Sequence, residues 1–135
     1  MNRKNDKRSM AKGGPKDQTH VRGREVTPAL IAALDHPVRR EILRLLGQQD
    51  TPISPVEMTE SIDLKLSRLA YHARVLAKRR VTRLTHTRSV RGSTQHFYVS
   101  TVANNKLVDV ILKGTEKDDS FLRMRPERKK KASSG

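Results

Sequence analysis

The sequence predicts one mainly α-helical domain with a small β-hairpin, flanked by two basic arms. Three observations predict this class. Apolar residues recur at helical spacing over residues 26–79, and the pattern then changes to runs of Thr, aromatic and β-branched residues over residues 81–100. Helical spacing returns over residues 107–112. We therefore expect four helices, two strands and a final helix (α-α-α-α-β-β-α).

The first two helices are predicted from their start and stop signals. The Thr-Pro pair at residues 27–28 predicts the start of a short helix that ends near Leu34. The segment at residues 35–37 predicts a second start, which makes His36 a residue of the helix N-terminus rather than a metal ligand. The second helix ends near Gly47. Its apolar stripe consists of Val38, Ile42, Leu45 and Leu46.

The next two helices are separated by a tight turn. Residues 54–57 read Ser-Pro-Val-Glu, the spacing of a capping box, and predict a third helix that reaches about Ile62. The turn at residues 63–64 leads into a fourth helix over residues 66–79. On a helical wheel this helix has one apolar face, with His72 at its boundary. The apolar face consists of Leu66, Leu69, Ala70, Ala73, Leu76 and Ala77.

The hairpin is predicted from two strand-like runs that flank Arg91-Gly92, a two-residue turn signal. With this turn, His86 faces Phe97 and His96 faces Thr87. The two His side chains then lie on opposite faces, so a metal site between them would require a slip of one residue in register. A helix, a tight turn, a second helix and a hairpin form a winged helix-turn-helix.

Composition restricts the function. The formal net charge is +15 and the sequence pI is near 11.0, which predicts a polyanionic partner and disfavours a solvated protein without one. No apolar run approaches the roughly 18 residues of a membrane-spanning helix, and the first residues have no apolar segment typical of a secretory signal. The absence of Cys excludes disulfides and thiolate metal sites. We expect a cytoplasmic, nucleoid-associated protein without membrane contact.

The charge is unevenly distributed. Residues 1–25 and 113–135 contain eight basic residues each and few apolar ones, so we expect two disordered basic arms around a folded domain at residues 26–112. Between Leu64 and Val108 there is no Asp or Glu. A solvated helix usually mixes both signs, so this exclusion indicates a surface that contacts phosphates. The same stretch contains Lys65, Arg68, Arg74, Lys78, Arg79, Arg80, Arg83, Arg88, Arg91 and Lys106.

These motifs, in this order, resemble the ArsR-type winged-helix transcriptional regulators over residues 28–112. Two departures concern the fourth helix: Ala70 and Ala73 stand where the family often has Ser and Leu, and Arg79-Arg80-Val81 replaces the usual Gly. The resemblance implies DNA binding and a homodimer, but without Cys or a His-rich last helix it does not imply metal sensing. It is carried by the segments ALDHPVRREILRLL, VEMTESIDL, AYHARVL and VRGSTQHFYVS.

We expect the fourth helix to lie in the major groove of double-stranded DNA and the wing, residues 81–100, to contact the backbone or the minor groove. DNA is favoured over RNA because only 3% of residues are aromatic, which leaves few platforms for stacking bases. The role of His72 stays open between a DNA contact and a boundary position. The predicted DNA-binding residues are Lys65, Ser67, Arg68, Tyr71, His72, Arg74, Arg88, Arg91 and Gly92.

The first and last helices are apolar for elements at the edge of a domain. The resemblance implies that they form the dimer interface, whereas the alternative is that they pack on each other within one chain. The predicted interface residues are Leu30, Ile31, Leu34, Leu107, Val110 and Ile111.

We predict no enzymatic activity, no cofactor and no metal. The sequence has no Gly-rich phosphate loop, no His-Glu-x-x-His pattern and no nucleophile elbow. A regulator of transcription is therefore the favoured function. The two alternatives are an architectural protein that binds DNA or RNA without sequence preference, and a protein-interaction module with an acidic partner.

Overall fold

The computed structural model describes residues 26–125, and its elements follow the predicted order with one addition. Residues 1–25 and 126–135, which contain the first predicted arm and the last ten residues of the second, lie outside the described residues. The fold is the predicted winged helix-turn-helix, extended by a short helical segment at its C-terminal end. The elements are α1 (Pro28–Ala33), α2 (Pro37–Gly47), α3 (Pro55–Met58), α4 (Leu66–Lys78), β1 (Thr82–Val90), β2 (Ser93–Ser100), α5 (Lys106–Gly114), α6 (Glu116–Asp119) and a 3-10 helix (Ser120–Leu122).

The first three helices start where predicted, each with a side-chain cap, and the cap by His36 adds to the two that were predicted. Thr27 Oγ1 accepts a hydrogen bond from the amide of Leu30 at 3.1 Å, and His36 Nδ1 accepts one from Val38 at 3.1 Å. Ser54 and Glu57 form the capping box, in which each side chain accepts a hydrogen bond from the other residue's amide. These bonds satisfy amides that a helix start leaves without a partner, so local sequence decides where α1, α2 and α3 begin.

The third helix is shorter than predicted. It ends at Met58 instead of continuing to about Ile62. The reason is tertiary: Ile62 is fully buried, and its backbone pairs with that of Arg123 in an isolated antiparallel bridge. The chain leaves the helix so that these contacts can form.

The hairpin has the predicted turn and register. Val90 pairs with Ser93 across Arg91-Gly92, whose φ angles are 52° and 82°, the left-handed pair that a two-residue hairpin turn requires. His86 faces Phe97 and His96 faces Thr87, with one irregularity between Leu84 and His86. The two His side chains therefore stay on opposite faces of the wing.

Arg80 connects α4 to the wing in the left-handed conformation, with φ of 63°. Gly adopts this conformation freely, whereas a residue with a Cβ accepts a penalty of about 1 kcal/mol. The left-handed residue that ends this helix is therefore an arginine, which adds a cation at the base of the wing.

The core joins α1, α2, α3 and α4 to the base of the wing. Ile53, just before α3, exchanges two backbone hydrogen bonds of 3.0 Å with Tyr98 on β2, which attaches the hairpin to the helices. Small Ala73 is buried in the middle of α4, where a larger side chain would hold the neighbouring elements apart. The largest fully buried apolar side chains are Leu30, Ile42, Met58, Ile62, Leu69 and Leu76.

The C-terminal segment contains a buried ionic cluster. The Asp119 carboxylate, 1% exposed, accepts two hydrogen bonds of 2.8 Å from the Arg40 guanidinium and lies 2.9 Å from Nη1 of Arg44. Arg44 also donates to Glu41 Oε1 at 2.9 Å, and Arg123 pairs with Glu41 Oε2 at 3.0 Å. Burial raises the pKa of Asp119, but the hydrogen bonds from Arg40 and Arg44 outweigh it and hold the pKa below its usual value.

This cluster extends the folded domain beyond the predicted boundary at residue 112. Residues 113–125 pack on α2 instead of belonging to a disordered tail, and Leu122 is buried in the core. The prediction differs because it counted apolar periodicity, whereas acids pairing with the arginines of α2 hold this segment in place.

Replacing Asp119 with Ala should lower the free energy of unfolding by about 3–5 kcal/mol, because Arg40 and Arg44 would lose the carboxylate that compensates their burial. Urea denaturation at pH 7 measures this. Asp118→Ala, at an exposed neighbouring acid, is the matched control and should change stability by less than about 0.5 kcal/mol. Because the folded pKa of Asp119 is lowered, the difference from wild type should shrink as the pH falls below about 4. Equal losses in both variants would contradict the structural role of the cluster.

Candidate nucleic-acid interface

The exposed face of α4 carries polar and cationic side chains. Leu69, Ala73 and Leu76 turn inward at helical spacing and fix the orientation of the helix. The opposite face is consequently directed outward. The side chains exposed at the start and along the outer face of α4 are Lys65, Ser67, Arg68, Tyr71, Arg74 and Lys78.

His72 belongs to the buried face of α4. The side chain is 5% exposed, its ring centroid lies 4.4 Å from that of His36, and its Nδ1 lies 3.4 Å from Nη1 of Arg39. The prediction of a DNA contact by His72 is therefore wrong, because the ring has almost no free surface. The spacing Leu69, His72, Leu76 is the sequence signal that indicates this inward position.

His72 is part of a layer that sequence reasoning missed beneath α4. Arg39 donates to the carbonyl oxygens of Ala33 at 3.1 Å and Ala32 at 3.2 Å, which caps the C-terminal end of α1. His36 and Arg39 thus connect α4 to the α1–α2 junction. No local signal indicates this contact, because His72 lies 33 residues from Arg39 in the chain.

Burial, the largest cause, and the nearby charges of His36, Arg39 and Arg68 together lower the pKa of His72 to about 4. The pKa of His36 is also lowered, first by burial and then by the charges of Arg39, Arg68 and Arg40. Both rings are therefore neutral at pH 7. A neutral His36 keeps Nδ1 free to accept the hydrogen bond that starts α2.

The wing carries Arg88, Arg91 and Gly92 on exposed positions. The Arg88 guanidinium lies 5.0 Å from the ring centroid of Phe97, and the ring of His86 stacks on Phe97 at 4.5 Å with an interplanar angle of 4°. Phe97 is only 4% exposed. These contacts link β1 to β2 in the middle of the hairpin and bring the Arg88 guanidinium over the Phe97 ring.

The predicted DNA-binding residues form two groups. Ser67, Arg68, Tyr71 and Arg74 share the outer face of α4, while Arg91 and Gly92 lie at the tip of the hairpin, roughly 30 Å along β1 from its base. The buried acids Glu41 and Asp119 pair with arginines of α2 and the C-terminal segment. The cations of α4 and the wing therefore lie on elements that contain no acidic residue.

The predicted dimer residues are also divided by the structure. Ile31 is 58% exposed, Leu107 41% and Val110 65%, and Ile111 is half-buried. Leu30 and Leu34 are buried in the core of the single chain, so their prediction as interface residues is wrong. The side chains of Leu30 and Leu34 point inward because one face of α1 packs against the core. A groove of about 510 Å³ between α1 and α5 is lined by Leu30, Ile31, Leu34, Leu107 and Ile111.

A helix-turn-helix domain family model matches residues 34–85. The range is less than half of the chain, and it runs from the end of α1 through α2, α3 and α4 into β1. The chain therefore carries a helix-turn-helix domain, which supports a DNA-binding regulator in general. A comparison with curated proteins finds no match.

Within residues 26–125, no group of three or more His, Asp or Glu side chains could hold a metal ion. Over the same residues, every helix is too short or too polar to cross a membrane.

The free energy of unfolding should fall by roughly 2 kcal/mol between pH 7 and pH 5, in large part through His72. In this range the unfolded chain binds a proton at a pKa near 6.5, while the folded chain stays neutral down to about pH 4. Urea denaturation at both pH values measures the change. His72→Gln should flatten the pH dependence, and the control His96→Gln, at an exposed position on β2, should leave it intact. The same pH dependence in all three proteins would refute the assignment to His72.

Proposed function

We propose that this protein is a sequence-specific regulator of transcription that binds double-stranded DNA, of the ArsR-like winged-helix type. One observation carries the proposal: the helix after the turn directs an acid-free face outward, and a cationic hairpin follows it directly. This combination of shape and charge matches the major groove and the phosphates beside it.

The proposed binding mode follows from dimensions. The 13 residues of α4 form a helix roughly 20 Å long and 10–12 Å wide, and the major groove is about 12 Å wide. Arg68, Ser67 and Tyr71 would reach base edges, with Arg68 suited to bidentate contact with guanine. Lys65 and Arg74 would reach base edges or the backbone.

The wing would contact phosphates or the minor groove through Arg88 and Arg91, and Gly92 at the tip lets the backbone approach closely. The basic residues in segments 1–25 and 126–135 would add affinity that depends on salt and not on sequence. We further propose that this activity lies in the cytoplasm, at the nucleoid, where such a regulator would meet its DNA.

We further propose a homodimer formed by α1 and α5. Ile31, Leu107 and Val110 are large apolar side chains with 41–65% exposure, and Ile31 and Leu107 line one groove. Burial of such surface against a second copy is favourable. Two copies would place two recognition helices one turn of DNA apart, about 34 Å, on a near-palindromic site.

An architectural protein without sequence preference is the second candidate, favoured by the two basic arms. Competition between the preferred duplex and random duplex separates the candidates. The regulator should prefer its site by roughly 10³ or more at physiological salt. Equal affinity for both duplexes would leave the architectural function.

Arg68→Ala should weaken binding to the preferred site by about 1–3 kcal/mol and change binding to random duplex far less, because Arg68 reads a base edge. The comparison variant Arg91→Asn keeps a residue that tolerates the left-handed turn while it removes a phosphate contact. This variant should weaken binding to both duplexes alike and reduce the slope of log affinity against log salt concentration by about 1. Fluorescence anisotropy at several salt concentrations measures both. An equal loss on both duplexes for Arg68→Ala would show that Arg68 does not contact a base.

Ile31→Lys and Val110→Lys should each convert the protein to a monomer, because a charge would enter the apolar contact between the copies. Sedimentation velocity at micromolar concentration measures the oligomeric state. The matched control is Gln49→Lys, which adds the same charge at an exposed position after α2. A wild-type protein that sediments as a monomer with and without DNA would refute the dimer.

A further inference from the structure

The proposed DNA-binding surface contains an apolar cleft between the outer face of α4 and strand β1. The cleft has a volume of about 530 Å³ and is lined by Tyr71, Val75 and Leu84, with Arg74 and Lys78 beside them. Tyr71 is 54% exposed and Leu84 43%, and Val75 is half-buried. Large apolar side chains gathered on a cationic, acid-free face call for a ligand that is apolar in one place and anionic around it.

The cleft is positioned by the buried layer beneath α4. The rings of Tyr71 and His72 meet edge to face at 5.1 Å with an interplanar angle of 70°, and His72 in turn contacts His36. An exposed ring held from below loses little freedom when a ligand binds. The Tyr71 side of the cleft is therefore preorganised.

We propose that this cleft recognises thymine through its 5-methyl group, which makes Tyr71, Val75 and Leu84 determinants of sequence preference. The inference rests on the proposed function of the preceding section. Of the groups that unmodified base pairs present in the major groove, the thymine methyl is the apolar one, and it lies beside phosphates that Arg74 and Lys78 match in charge. DNA is favoured over a protein ligand because the same helix face continues into Ser67 and Arg68.

The spacing of the cleft sets how many bases it reads. Tyr71 and Val75 are four residues apart on α4, which separates them by about 6 Å along the helix. Adjacent base pairs are about 3.4 Å apart along the DNA axis. The cleft therefore covers one or two neighbouring thymines.

The test begins by selecting the preferred duplex from random DNA with the full-length protein. Each thymine is then replaced singly by deoxyuridine, which keeps every hydrogen-bonding group and lacks the methyl. Replacement of one or two neighbouring thymines should lower the affinity about threefold to fivefold each, the factor for burial of one methyl group. A 5-methylcytosine–guanine pair at the same position keeps the methyl group and changes the hydrogen-bonding groups. Affinity that is preserved with this pair indicates recognition of the methyl alone, and affinity that is lost indicates recognition of the whole thymine.

Two variants connect the methyl effect to the cleft. In Val75→Ala and in Leu84→Ala, thymine and deoxyuridine duplexes should bind with equal affinity, because the surface that meets the methyl is gone. Each ratio is measured within a single protein, so a general loss of stability cancels. The matched control is Val56→Ala, which shortens an exposed valine on α3 and should keep the full ratio.

The outcomes separate this inference from the proposed function. A protein that selects no preferred sequence overturns the sequence-specific regulator and this inference with it. A preferred sequence on which no deoxyuridine substitution matters overturns the inference alone and leaves the cleft as a surface for a protein partner. A methyl effect that persists unchanged in both Val75→Ala and Leu84→Ala also overturns it.

Discussion

The ion pairs between Asp119 and the two arginines of α2 fix the C-terminal segment on the helical core. Asp119 is almost fully buried, so its charge is tolerable only while Arg40 and Arg44 remain beside it. Arg44 also donates to the carbonyl oxygen of Leu112 at 2.8 Å and to Thr115 at 2.7 Å, which ties the end of α5 to α2. One set of polar contacts from Arg44 thus holds α5, which is proposed for the dimer contact, against α2, on which α4 packs.

This arrangement also separates the charges of the domain. The buried acids lie with α2 and the C-terminal segment, where arginines compensate them, and the helix and hairpin between residues 64 and 108 contain none. A positive face next to a compensated core keeps its attraction for phosphates without destabilising the interior. The contacts of His72 with His36 and Arg39 position the buried face of α4 against the α1–α2 junction.

Features with a local cause could be predicted from the sequence. The caps at Thr27 and Ser54, the helix start at His36 and the turn at Arg91-Gly92 depend on residues that are neighbours in the chain, and all four formed where expected. The strand register from Val90 to His86 followed from the turn, and the irregularity between Leu84 and His86 shifts the pairs nearer the base of the hairpin. The exposed side of α4 followed from its helical spacing with two exceptions: His72 is buried, and Leu66, predicted on the apolar face, is 46% exposed.

The structure differs from the sequence-based predictions where contacts between residues far apart in the chain determine the local structure. The length of α3 depends on the backbone pairing of Ile62 with Arg123. The packing of residues 113–125 depends on arginines of α2 that lie far away in the chain, since Arg40 and Asp119 are 79 residues apart. Leu30 and Leu34 could not be distinguished from Ile31 by composition, because a short apolar helix at an edge gives no sign of which side is covered. Family resemblance supplied an interface but not the division between core and surface.

The left-handed arginines at positions 80 and 91 have a consequence for how this domain would respond to selection for stability. Both residues adopt a conformation that favours Gly or Asn, and they stand at the two ends of the wing. Selection on folding alone would replace them and remove two positive charges from the hairpin. At these two positions, higher conformational stability and a positive charge on the hairpin therefore exclude each other, and the arginines present keep the charge.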